Sequence, residues 1–262
     1  MTDQVANADQ VEVLAQILYQ AYADQEPLEM ADFPTFSDEQ AYQVQDRLMK
    51  LKQHKRGGYK ISLTSAETQS MFDATEPLYG AQLDERFFRS GAQLPASLFL
   101  APLVEVELVF TAQADLSVQD DLEDLLERTT IAPAVEIPDC RFRDWFPKLP
   151  KHLVIADAAV GGAVVYGKEM PGTNFQLAEL AEVNTKLFHD QEQVATGTSS
   201  EVLGNPVKSL RWLVQKLASR GQQLRAGEHV STGTFLLPVP LTKGHWRADF
   251  DHQLGSVEFD VK

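Results

Sequence analysis

The sequence predicts an α+β fold: a mixed β domain carrying a small helical part at its N-terminal end. Three observations predict it. Apolar residues recur at helical spacing through the first fifty or so positions; beyond the pair Gly57-Gly58 the pattern turns strand-rich; and no Pro-, Gly- or Ser-rich linker interrupts the 262 residues. The predicted organisation is residues 1–56 as the helical part and 57–262 as the mixed β domain.

Val11, Leu14, Ile17, Leu18 and Ala21 mark the first helix. Ser37-Asp38-Glu39-Gln40 is a capping box for a second, whose buried stripe is Ala41, Val44, Leu48 and Leu51. Tyr59-Lys60-Ile61-Ser62-Leu63 opens the β region. Further strands are expected over 103–110, 131–137, 160–167, 229–235, 245–251 and 255–261. Two helices interrupt them, one over about 117–128, the other capped by Asn205 with Pro206 at its first turn and stopped at Gly221.

Composition narrows the function classes. Thirty-eight acidic against 23 basic residues give a net charge of −15, which argues against nucleic acid or an anionic membrane as partner. No stretch approaches the ~20 apolar residues of a membrane span. Met1 leads into Thr-Asp-Gln-Val-Ala-Asn with neither a basic n-region nor an apolar h-region, and Cys140 is the single cysteine. A cytoplasmic protein is expected.

Three glutamates stand in segments that are otherwise apolar: Leu103 to Phe110 holds Glu105 and Glu107, and Pro133 to Pro138 holds Glu136. On a strand Glu105 and Glu107 share a face, their Cβ atoms roughly 6–7 Å apart. That strand is apolar on both faces, as a strand buried on both sides is. An ordinary polar face is the bland alternative, but carboxylates buried in such a strand cost several kcal/mol each unless a cation compensates them. An all-oxygen carboxylate site suits a hard divalent ion, Mg²⁺ or Mn²⁺.

Lys60 follows Gly57-Gly58, and Ser62 and Thr64 share its face. Most strand lysines are solvated edge residues; here the run from Lys60 to Ser65 gathers a cation, hydroxyls and turn N–H groups suited to an α-keto acid carboxylate. Ser231-Thr232-Gly233-Thr234 reads as a turn. No H-E-x-x-H, G-x-S-x-G or G-x-G-x-x-G motif occurs. Cys140 and the tryptophans Trp145, Trp212 and Trp246 read as packing residues.

Five blocks in order (Gly58 to Ser65; Glu105-Val106-Glu107; Pro133-Ala134-Val135-Glu136-Ile137; Gly204-Asn205-Pro206-Val207; Gly255-Ser256-Val257) resemble the 2-keto-4-pentenoate hydratase and 4-oxalocrotonate decarboxylase family of the fumarylacetoacetate hydrolase superfamily. The resemblance runs from about residue 35 to 262. It implies a mixed β roll flanked by helices. It also implies Mg²⁺ or Mn²⁺ held by Glu105, Glu107 and Glu136, with Lys60 as the active-site lysine. Ser62, Thr64, Ser65, Leu78 and Thr234 are the expected substrate-binding positions, a small 2-oxo acid the partner, and a homo-oligomer the assembly.

The implied function is a metal-dependent lyase acting on 2-oxo-enoic acids, a hydratase first and a decarboxylase second. Two departures bear on that choice. Leu78-Tyr79-Gly80 stands where many hydratases have an acidic residue before the aromatic–glycine pair. Asp157-Ala158-Ala159-Val160 stands where the family has Asp-Asn-Ala-Ser. Asp73, Glu76 or Glu85 is a candidate replacement base. Acylpyruvate hydrolysis, for which His54 is the nearest histidine, and a catalytically silent partner subunit are the rivals.

Overall fold

The computed structural model describes residues 8–262. The leader reading made on Met1 to Asn7 lies outside the described residues. The chain begins with helices α1 (Ala8–Asp24) and α2 (Asp38–Lys52). Ser37 caps α2 through the Gln40 N–H while the Gln40 side chain returns to the Ser37 N–H, as the sequence predicts. Leu14, Leu18 and Ala21 of α1 are buried, but Ile17 is 38% exposed, because the buried stripe of α1 is narrower than the apolar pattern.

The rest of the chain builds two sheets. Strands β1 (Arg56–Ser62), β2 (Leu78–Leu83), β3 (Phe87–Arg89), β5 (Leu103–Ala112), β6 (Thr129–Ile137), β7 (Ala163–Tyr166) and β11 (His229–Ser231) run in the spatial order β2-β1-β11-β5-β6-β7-β3. Two short strands join this sheet, β8 (Met170–Pro171) on β6 and β12 (Val239–Pro240) on β5. A smaller sheet is ordered β10-β9-β13-β14-β4, from β4 (Ala92–Leu94), β9 (Asn184–His189), β10 (Glu192–Thr198), β13 (Gly244–Phe250) and β14 (Gly255–Val261). Parallel β1–β11 and antiparallel β5–β6 pairings coexist, so the fold is mixed, as expected.

Short helices α3 (Ala66–Met71), α4 (Leu122–Glu127), α5 (Lys151–Ala156) and α6 (Leu177–Leu180) punctuate the strands, and α7 (Pro206–Ser219) is the one long helix after β1. Its buried face is Val207, Leu210, Leu213, Val214 and Leu217, and Asn205 caps it through the Val207 N–H. The expected helix over 117–128 is shorter, because Asp121 rather than an earlier residue supplies the cap. Expected strand 229–235 stops at Ser231, where the chain turns to serve the site described next. Among the described residues no helix is long and apolar enough to cross a membrane.

Candidate active site

The antiparallel register of β5 and β6 sets Glu105 directly opposite Glu136. Glu107 lies two residues along β5 on the same face. One carboxylate oxygen from each of the three falls within 4.8 Å of the others. Lys60 reaches this face from β1, which is joined to β5 through β11: Lys60 pairs with Ser231, and Ser231 with Val109. Its ammonium forms an ion pair with Glu136 Oε1, and both side chains are 1% exposed.

The turn after β11 tightens the cluster. The Ser231 hydroxyl donates to Glu107 Oε2 at 2.5 Å and the Gly233 N–H donates to the same oxygen at 2.8 Å. Gly233 has φ +115°, and a Cβ there would lie 2.3 Å from Thr64 Oγ1, so glycine is required. The sequence reading took this turn as generic; its role is to hold Glu107.

Burial shapes the electrostatics. Desolvation raises the Glu105 pKa to about 7, with Lys60 opposing and Glu136 adding to the rise. Glu107 is pushed well above the ordinary range by burial first, then by Glu136 and Glu105. Burial would lower Lys60, but Glu136 and Glu105 hold it above its usual value, so it stays an ammonium. With all three ionised, three carboxylates against one ammonium leave two negative charges, an excess that the raised Glu105 and Glu107 express as a pull towards protonation or a cation. Glu136 Oε2 is buried with no hydrogen-bond partner. An orphaned carboxylate oxygen, an all-oxygen donor set and a charge deficit of two fit one hard divalent cation.

A cavity of about 40 Å³ opens onto Lys60, Glu105 and Glu107. Ser62, Thr64, Thr68 and Thr234 supply its hydroxyls, while Phe72, Trp145, Phe146, Val154 and Val160 make an apolar wall. Trp145 therefore does more than pack: it lines the cavity while its indole N–H donates to the Ala101 carbonyl. Ser65 does not line this cavity; its hydroxyl caps α3 through the Thr68 N–H and it borders an adjoining cleft.

Leu78 corrects the sequence reading. It lies opposite Ser62 in the β1–β2 pair, 2% exposed, and packs into the core rather than lining the cavity. None of the proposed replacement bases lines it either: Glu76 pairs with Lys216 at 2.8 Å, Glu85 with His54 at 3.0 Å, and Asp73 lies elsewhere. No histidine and no glutamate of the N-terminal part lines the cavity, so neither water-activating group that acylpyruvate hydrolysis would use is placed there.

The wall at Val160 has unusual backbone. Ala158, Ala159 and Val160 all sit in the left-handed region, at φ 52°, 53° and 50°. For a β-branched residue this is a true outlier. Several contacts hold the turn, among them the Gln82 Nε2–H donating to the Ala158 carbonyl and the Asp139 N–H donating to the Val160 carbonyl. Gly80 packs where a Cβ would lie 1.9 Å from the Ala158 carbonyl oxygen, and Asp157 is fixed by the Arg141 Nε–H at 2.6 Å and the Arg141 backbone N–H at 3.0 Å.

No family model matches the chain. It is 32% identical over 258 residues to the 2-oxo-hept-4-ene-1,7-dioate hydratase of Escherichia coli, covering 94% of this chain and 95% of that protein. It is also 32% identical to a 2-keto-4-pentenoate hydratase of Paraburkholderia xenovorans (strain LB400), covering 97% and 95%. Among solved structures, the 4-oxalocrotonate decarboxylase from Pseudomonas putida G7 complexed with magnesium and adipate matches with a TM-score of 0.90 at 25% identity, covering 98% of this chain and 99% of that one.

Proposed function

We propose, for a chain that belongs to the 2-keto-4-pentenoate hydratase and 4-oxalocrotonate decarboxylase family of the fumarylacetoacetate hydrolase superfamily, a hydratase activity on 2-oxo-enoic acids or their dienols. The enzyme is a metal-dependent lyase. The observation that carries the reading is the triad of Glu107 and Glu136, both buried, with the partly buried Glu105, and Lys60 ion-paired inside it. These three carboxylates would hold Mg²⁺ or Mn²⁺. The ion, when bound, supplies Lewis-acid stabilisation of negative charge on the 2-oxygen of the substrate.

The chain's own groups do the rest. Lys60, kept protonated by its carboxylate neighbours, offers a cation to the substrate's C1 carboxylate or enolate oxygen and is unsuited to Schiff-base formation. Ser62 and Thr64 supply hydroxyl donors beside it. Ser231 and Gly233 orient Glu107 so that its Oε1 is free for the ion. The aromatic wall restricts water to the few molecules that about 40 Å³ can hold. Proton movement falls to Lys60 and these hydroxyls, because no further carboxylate lines the cavity.

That last observation also favours a second reading, decarboxylation, which needs the electron sink and the lysine but no added base. With Mg²⁺ present, 2-hydroxypenta-2,4-dienoate and 4-oxalocrotonate separate the two. Faster loss of the dienoate supports hydration, carbon dioxide release alone supports decarboxylation, and turnover of neither refutes both. The proposal includes a homo-oligomer of the cytoplasm, checked by light scattering and by fractionation.

A further inference from the structure

The turn that walls the reaction cavity at Val160 also borders, at Ala158 and Gly161, a second cavity of about 20 Å³. This smaller cavity lies between Tyr22 of α1, Lys52 of α2 and strand β2. Three cations line it, Lys52, Arg86 and Arg141, against a single carboxylate, Asp139. Asp157 stands behind Arg141.

The three cations differ in what answers their charge. Arg141 is committed to Asp157 at 2.6 Å, with Asp139 at 3.8 Å and the Gly161 carbonyl accepting at 3.2 Å. Arg86 donates to the Tyr22 hydroxyl at 3.0 Å and has no ion pair among the described residues. Lys52 is 8% exposed, and among the described residues its Nζ has neither an ion pair nor a hydrogen bond, only the Tyr22 ring at 4.2 Å. A buried ammonium so placed either sheds its proton or takes an anion. Arg86 cannot shed one. With Lys52 charged, the three cations outnumber Asp139 and Asp157 by one, and a single monovalent anion closes the balance. The space selects its size: a water molecule needs about 10–15 Å³, so a one-atom ion fits, whereas a carboxylate or a phosphate does not.

We propose that this cavity binds one halide ion, chloride or bromide, between Lys52 and Arg86, together with the proton that keeps Lys52 an ammonium. The site is independent of the lyase reading. It adjoins the cavity wall all the same. Gln82, which donates to the Ala158 carbonyl at 3.2 Å, and Arg141, which fixes Asp157, both line it. A halide there would brace the Ala158–Val160 turn from outside the reaction cavity. Burial, then Arg141, lowers Lys52 to about 7, with Arg86 adding to the fall and Asp157 and Asp139 opposing it, so above that pH the ion must bring a proton with it.

Melting of the Mg²⁺-loaded protein at pH 7 and fixed ionic strength tests this, with sodium chloride or bromide replacing sodium gluconate, whose anion is too large for the cavity. The expected result is a saturating rise in Tm, about three degrees once the halide reaches ten times its dissociation constant. The apparent affinity should fall about tenfold or more between pH 7 and pH 9. Lys52→Met, similar in length and apolar, should abolish the rise, and Arg86→Gln should weaken it several-fold. A rise that never saturates, one that Lys52→Met retains, or an affinity indifferent to pH overturns the proposal. Crystals of the parent soaked in bromide give a reading that needs no variant to fold. Anomalous scattering should place a bromide ion beside Lys52 and Arg86, and a cavity holding water alone refutes the site.

Discussion

Glu107→Gln separates a metal ligand from a structural carboxylate by the sign of its effect. Glu107 is 1% exposed, and its Oε2 already accepts from Ser231 and Gly233. A glutamine carbonyl keeps both bonds, so the turn after β11 stays in place. Without metal, burial and the neighbouring Glu136 and Glu105 already push Glu107 towards its neutral form, which glutamine mimics. The metal-free variant should be as stable as the parent or slightly more so. With metal the order reverses. At 100 times the dissociation constant, Mg²⁺ stabilises the parent by about 2.7 kcal/mol, or several degrees in Tm for a chain of this length. The variant should lose that shift. Calorimetric melting of both proteins with EDTA and with saturating Mg²⁺ reads both differences. A metal-free variant that melts well below the parent, or one that keeps the Mg²⁺ shift, refutes the reasoning.

Three other outcomes follow from the same geometry. Lys60→Met should lower kcat/KM by about 10²–10⁴ while borohydride with a keto acid traps no adduct on the parent lysine; trapping at Lys60 would overturn its role as a fixed charge. Gly233→Ala should abolish metal-dependent activity and cost roughly 1–3 kcal/mol, because its Cβ meets Thr64 at 2.3 Å and its N–H leaves Glu107; normal Mg²⁺ binding in this variant would contradict that. Lys52 is 8% exposed, and burial followed by Arg141 lowers its pKa from 10.5 to about 7, so the folded chain binds fewer protons than the unfolded one between these values. Stability should therefore rise with pH from about 7 to 10.5, and Lys52→Met should flatten that rise in pH-dependent chemical denaturation.

The candidate centre was legible where chemistry conflicted with burial. Glutamates inside a strand apolar on both faces advertise a compensating charge, and two residues of separation put Glu105 and Glu107 together without any knowledge of the fold. The pairing of Glu105 with Glu136 is a matter of register, which one sequence does not specify. Leu78 shows the opposite failure. Its place beside Tyr79-Gly80 made it look like a pocket residue, and it shares a face with its cross-strand partner Ser62, yet it packs into the core outside the cavity lining. The smaller sheet was half visible. Phe259, Val257 and their neighbours alternate cleanly, whereas β10 is an edge strand whose residues are mostly exposed and show no apolar period. Ser231 and Gly233 were read as an ordinary turn because a hydrogen bond across more than a hundred residues leaves no local mark.

The three consecutive left-handed residues at Ala158–Val160 cost about 1–2 kcal/mol each, so this wall of the cavity keeps its shape only while its neighbours compel it. The compelling groups, Arg141, Asp157 and Gly80, do not border the cavity at all. The shape of the proposed site is thus delegated to residues that do not line it. Natural variation at Arg141 or Gly80 should surface as altered selectivity in a folded protein, and a search for specificity determinants confined to the cavity lining would miss where this one is written.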